Sequence, residues 1–112
     1  DLMNDLIDSG VDVRESSGVQ DVIKDADVLY VTRIQKERFS DLALYEEVKN
    51  CFEINTDLMT MAKSKMIVMH PLPRVGEIQY QIDKDPRAAY FRQVHNGMII
   101  RMALLAGVLG QA

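Results

Sequence analysis

The chain has 112 residues, 47% hydrophobic and 27% charged, with 17 acidic against 13 basic side chains and a net charge of −4. It is long enough for one domain with its own core and too short for two; the acidic balance argues against a nucleic-acid partner, and no apolar run has the length of a membrane span. A single cysteine, Cys51, excludes an internal disulfide and a multi-cysteine zinc site and suits a reduced, cytoplasmic setting.

The opening Asp1-Leu2-Met3-Asn4-Asp5 has neither a basic n-region nor an initiating Met, so it reads as a cut through a longer chain rather than a signal peptide. Leu2, Met3, Leu6 and Ile7 share one face of a short helix that Gly10 stops. Val11 and Val13 read as a brief strand. Ser16 or Ser17 then caps a helix whose apolar set is Val19, Val22, Ile23 and Ala26. Residues 27–32 form the next strand, and a loop follows Arg33. Residues 42–50 form a helix with Leu44, Tyr45 and Val48 inward, and 52–54 a short strand. Asn55 or Thr56 caps a helix carrying Leu58, Met59 and Ala62, which ends near residues 63–65, where lysine charge suits the helix dipole. Residues 66–69 form the last strand. His95 and Asn96-Gly97 mark a bend between two helices, the second of which, over 98–109, has Arg101 as its one charged side chain.

Strands alternating with helices about every ten to fifteen residues indicate an α/β fold, a parallel sheet flanked by helices in a three-layer, Rossmann-like arrangement. The terminal helix is apolar on nearly every side, so it needs cover beyond what one face of a small sheet offers. The division expected is an α/β domain over 1–94 and a helix over 95–112 that packs toward a further domain.

Two segments stand where strands open onto the C-terminal edge of the sheet, the edge at which open α/β sheets bind ligands. In Thr32-Arg33-Ile34-Gln35-Lys36-Glu37-Arg38, Arg33 offers a planar fork for a carboxylate or phosphate, and Gln35 points the same way on an extended backbone. Spacing alone also suits an exposed pair of Arg33 with Glu37, worth little. In His70-Pro71-Leu72-Pro73-Arg74 two prolines lack N–H groups, and Leu72 is driven from helical angles by Pro73. Carbonyls there are short of local donors and can accept from a ligand's NH2 group. A histidine at a strand end, such as His70, more often satisfies local hydrogen bonds than performs chemistry. No G-x-G-x-x-G follows a strand, which argues against a nicotinamide site.

Together with Asp85-Pro86-Arg87-Ala88-Ala89-Tyr90-Phe91 and the run from Asn96-Gly97-Met98 through Arg101-Met102-Ala103-Leu104-Leu105-Ala106, these segments resemble the aspartate-binding half of aspartate carbamoyltransferase, the eukaryotic multifunctional form above all. The resemblance runs essentially end to end. The related ornithine enzyme usually has a Cys in the His-Pro-Leu-Pro segment and a Ser-Met-Gly motif, and neither is found here.

The resemblance implies transfer of a carbamoyl group from carbamoyl phosphate to L-aspartate in pyrimidine synthesis, with no metal or organic cofactor. It implies that Arg33 binds an aspartate carboxylate with help from Gln35. It implies that the backbone of Pro71, Leu72 and Pro73 contacts carbamoyl phosphate, with Leu72-Pro73 cis. Glu37, Arg74 and Arg101 are expected to support the site; Arg74 suits a ligand or a loop brace equally, and Arg101 a site arginine or a buried ion pair. A missing N-terminal carbamoyl-phosphate domain, a homotrimer with shared sites and fusion to other pathway enzymes are implied in the same way. One departure is Gly76, where the family generally has Asp or Asn, so a hydrogen bond that stiffens the loop is expected to be absent. A noncatalytic assembly module and a carbamoyltransferase for another amino acid are the alternatives.

Overall fold

The computed structural model describes residues 2–34, 43 and 52–110. The expected helix over 42–50, with Leu44, Tyr45 and Val48, lies outside these residues except at Ala43, as do Gln35, Glu37 and Cys51.

Helix α1, Leu2–Asp8, ends as the glycine predicts. Gly10 takes φ 81°, and the Gly10 and Val11 N–H groups return to the carbonyls of Ile7 (2.9 Å) and Leu6 (3.1 Å). This paired closure satisfies carbonyls the helix would leave bare. No residue of α1 is buried, and Leu2 and Ile7 face solvent.

Two expectations for the next segment fail. Residues 11–17 form no strand, since Val11 is exposed and the short run finds no partner among the described residues. The helix expected from Ser16 or Ser17 shrinks to a 3-10 turn, Val19–Asp21, whose N-cap is Gly18 and which has no side-chain cap. Ser16 Oγ instead bonds Asp21 Oδ2 (3.3 Å) and the Gly18 carbonyl (3.1 Å). Of the apolar set, Ile23 is fully buried and Val19 and Ala26 pack against the core, while Val22 is exposed. Most of the apolar positions do face the core, but a single well-buried anchor does not require a regular helix.

Strands β1 (Val28–Tyr30) and β2 (Ile67–Met69) pair in parallel with Val28 opposite Ile67 and Tyr30 opposite Met69. The pairing closes with the Val31 N–H on the Met69 carbonyl (2.9 Å). On its other side β2 meets residue 88: Val68 N–H donates to the Arg87 carbonyl (2.9 Å) and Ala89 N–H to the Val68 carbonyl (2.8 Å). The strand expected at 52–54 reduces to one parallel bridge, Ile54 with Ile78.

Helix α2, Thr56–Met61, lies on the crossover between the strands, and Asn55 caps it by accepting from the Leu58 N–H (2.8 Å). It stops at Ala62, short of the lysines. Lys63 reaches the Asp25 carbonyl (2.6 Å) and Asp27 (2.9 Å). Arg87 closes this end of α2 by donating to the Met59 carbonyl (2.9 Å), and is itself held by Asp85. Thus part of the 85–91 motif braces a helix end.

A 3-10 helix, Tyr80–Lys84, leads to α3, Tyr90–Val108. The bend expected at His95 and Asn96-Gly97 does not occur. A helical glycine costs about 1 kcal/mol, too little to break a nineteen-residue helix, and the boundary drawn after residue 94 falls inside it. The core gathers Ile23, Ile54, Met66, Val68, Ile78, Ile82 and Tyr90 between the sheet and its coverings. Tyr90 is the buried residue of α3; Met98, Ile100, Met102, Leu104, Leu105 and Val108 are all exposed. No helix among the described residues is long and apolar enough to cross a membrane.

Candidate functional site

Because Tyr30 and Met69 stand opposite one another in parallel strands, the residues that follow each must leave the sheet at one edge. Arg33 is exposed on the first of these exits. The second is the loop 70–75, in which the Leu72-Pro73 bond is cis, as expected. Leu72 leaves the right-handed helical region, with φ 49°, and its side chain packs against the core. A positive φ is unusual for a branched residue.

Hydrogen bonds hold this loop from below. His70 and Glu77, both buried, join through Nε2 and Oε1 at 2.6 Å. The Leu72 N–H donates to His70 Nδ1 (2.8 Å), and the Val75 N–H to Glu77 Oε2 (2.8 Å). On α3, Gln93 accepts from the His70 N–H (2.9 Å) and donates to the Tyr30 hydroxyl (3.3 Å). Burial pushes the Glu77 carboxyl upward, but bonds from its own N–H, the Val75 N–H and His70 outweigh that and hold it below the usual range.

Arg74 is a brace. Its guanidinium forms a two-pronged pair with Asp83, one arm at 2.7 Å, and donates to the Tyr90 hydroxyl (3.2 Å). It lies over the Tyr80 ring, 4.4 Å from the centroid. The Tyr90 hydroxyl donates to the same Asp83 carboxylate. Arg74 lowers the Asp83 pKa, while burial and the Asp83 charge push the Tyr90 phenol up to about 12. Asp85 is lowered by its bonds from Arg87.

Arg101 is exposed in this chain. It borders a cleft of about 190 Å³ together with Pro71, Tyr30, Gln93 and Gly97. A wider cleft of about 500 Å³ runs along Pro71, Leu72, Pro73 and Arg74 to Tyr80 and Phe91. The sheet edge therefore brings Arg101 beside the proline loop. Gln35 and Glu37 lie outside the described residues. Among the described residues no group of three or more His, Cys, Asp or Glu side chains is arranged to hold a metal ion.

Sequence reasoning missed Glu77, Asp83, Tyr90 and Gln93. Each is polar and buried or part-buried beside the loop, and each finds its partner across turns and between elements rather than along one face of a helix or strand.

Two measurements follow from this site. Gly76 takes φ 115°, which side-chain-bearing residues rarely adopt, so Gly76→Ala should cost about 1–3 kcal/mol in urea unfolding; an unchanged midpoint would show that the turn adapts freely. The depressed carboxyls of Glu77, Asp83 and Asp85 give stability that is present above their unfolded values of about 4 and is lost as pH falls through the folded ones. The thermal midpoint should therefore drop as pH is lowered below about 4, and less steeply in Asp83→Asn. A midpoint level down to pH 2 would contradict these shifts.

Comparison with known proteins gives concordant matches. The sequence profile described as "Aspartate/ornithine carbamoyltransferase, Asp/Orn binding domain" matches residues 2–108. The multifunctional protein CAD of Squalus acanthias is 52% identical over 106 residues, 95% of this chain and 5% of that protein. The catalytic subunit of M. jannaschii aspartate transcarbamoylase superposes with a TM-score of 0.88 at 42% identity, over 99% of this chain and 36% of that one. Aspartate transcarbamoylase from Trypanosoma cruzi, solved with carbamoyl phosphate and aspartate, gives a TM-score of 0.80 at 44% identity, over 93% of this chain and 34% of that one. The chain thus spans about a third of the length of these solved catalytic chains.

Proposed function

The chain belongs to the aspartate/ornithine carbamoyltransferase family, as its Asp/Orn-binding domain, and from that premise we propose that it is the aspartate-binding half of an aspartate carbamoyltransferase. The reaction is carbamoyl phosphate plus L-aspartate to N-carbamoyl-L-aspartate plus phosphate, in pyrimidine synthesis. The observation that carries this reading is the parallel register of Tyr30 with Met69, which sends the Arg33 segment and the proline loop out at one sheet edge.

In this reading Arg33, with Gln35, aims an aspartate carboxylate by a two-pronged pair. The carbonyls of Pro71 and Leu72 accept from the NH2 group of carbamoyl phosphate. The aspartate amine attacks the carbamoyl carbon to form the C–N bond. The C–O bond to phosphate breaks, and the departing phosphate takes the amine proton. Fixed dipoles and orientation lower the barrier, so no cofactor is needed. The phosphate-binding groups come from an N-terminal domain, toward which the apolar face of α3 packs; the assembly is a cytoplasmic homotrimer, within a multifunctional polypeptide as in the relative from Squalus acanthias.

The test exchanges the corresponding segment of the M. jannaschii catalytic subunit for this chain and measures carbamoyl-aspartate formation from labelled carbamoyl phosphate. Aspartate-dependent product is expected from the graft and none from the 112-residue chain alone. A folded graft that makes no product would favour a noncatalytic assembly module, and preference for another amino acid would replace the substrate.

A further inference from the structure

We propose that His70 and Glu77 are positioning residues, a buried pair that sets the backbone of Pro71, Leu72 and Pro73 for the carbamoyl group; this rests on the function proposed above. The loop from Pro71 to Val75 has three amide N–H groups, those of Leu72, Arg74 and Val75, because two positions are proline. Two of these three end on the pair. The Leu72 N–H reaches His70 Nδ1 at 2.8 Å, and the Val75 N–H reaches Glu77 Oε2 at 2.8 Å.

The bonds fix the proton as well as the atoms. Since Nδ1 accepts from Leu72, its lone pair is free and the imidazole proton resides on Nε2, from which it is donated to Glu77 Oε1 at 2.6 Å. Glu77 then needs both oxygens as acceptors, one for His70 and one for Val75. His70 is 1% exposed and Glu77 6%, a degree of burial at which a polar group is normally hydrogen-bonded, so losing either partner is costly. The pair also reaches the rest of the edge, because Gln93 ties the His70 N–H to the Tyr30 hydroxyl on β1. The bond to its N–H is one of the constraints that hold Leu72 at its positive φ of 49°. A relaxed Leu72 would turn the very carbonyl on which the carbamoyl NH2 depends.

Glu77→Gln is the decisive substitution, since it keeps the volume and removes one acceptor. Its NH2 group must face either the Val75 N–H or the His70 Nε2–H. Moving the histidine proton to Nδ1 only transfers the conflict to the Leu72 N–H. In the active graft, Glu77→Gln should lower kcat/KM for carbamoyl phosphate about 10- to 100-fold, with the aspartate KM little changed at saturating carbamoyl phosphate. Amide exchange at Leu72 and Val75 should quicken selectively. His70→Asn, which retains an acceptor near the Nδ1 position but cannot reach Glu77, should lose less in the same direction.

Unaltered kinetics in folded Glu77→Gln would overturn the proposal. So would a parallel loss for both substrates that merely follows thermal stability, or failure of both variants to fold, either of which assigns the pair a purely structural role. An inactive unsubstituted graft would instead count against the function itself, so the two readings fail separately.

Discussion

Arg33→Ala in the graft is expected to weaken aspartate saturation by about 30- to 5,000-fold, with carbamoyl phosphate binding little changed. The range is the cost of about 2–5 kcal/mol for removing one partner of a hydrogen-bonded charge pair that becomes buried in the complex. Arg33 is exposed in the chain by itself, at the exit of β1, so its substitution should leave folding nearly intact. That separates a binding loss from a stability loss. Arg33→Lys restores charge without the planar fork and should recover only part of the affinity. If aspartate saturation were the same in the alanine variant, Arg33 would not be the carboxylate clamp.

Asp83→Ala is expected to cost about 3 kcal/mol of stability, a large loss for a residue that still reaches the surface. Its removal strands the Arg74 guanidinium, whose side chain is 8% exposed, between the Tyr80 and Tyr90 rings with its counter-charge gone. The Tyr90 hydroxyl loses its acceptor at the same time. Replacing both members, Arg74→Met with Asp83→Ala, should cost less than the sum of the two single changes, because no buried charge is then left unpaired. Urea unfolding measures all three. A neutral Asp83→Ala would mean that the pair does not hold Arg74, and would make that arginine a candidate substrate ligand again.

The sequence speaks most clearly where a signal is local. Gly10 stops α1 because only the chain's own turn is involved, and Asn55 caps α2 through a bond to Leu58, three residues on. Apolar runs announce β1 and β2, and the Arg33 and proline segments that follow them already point to one sheet edge. The 18–26 segment is legible in its apolar positions but not in its conformation, since burying Ile23 needs one anchored turn rather than a full helix. The bend expected at His95 and Asn96-Gly97 rests on residue preferences that nineteen residues of continuous hydrogen bonding override.

The site divides in the same way. Residue types and their order carry the family and the candidate substrate contacts Arg33, Pro71, Leu72 and Pro73. They do not carry what holds those contacts in place. Whether Arg74 binds a ligand or braces a loop depends on Asp83 arriving beside it, and whether His70 is a spectator depends on Glu77, Leu72 and Gln93 meeting it in the core. By itself the sequence determined which chemistry stands at the edge of the sheet, because strand signals and turn residues act over a few neighbours. The tertiary structure decided which polar groups are free to act and which are consumed in support, because burial forces each of them to find a partner and packing, not spacing, chooses it.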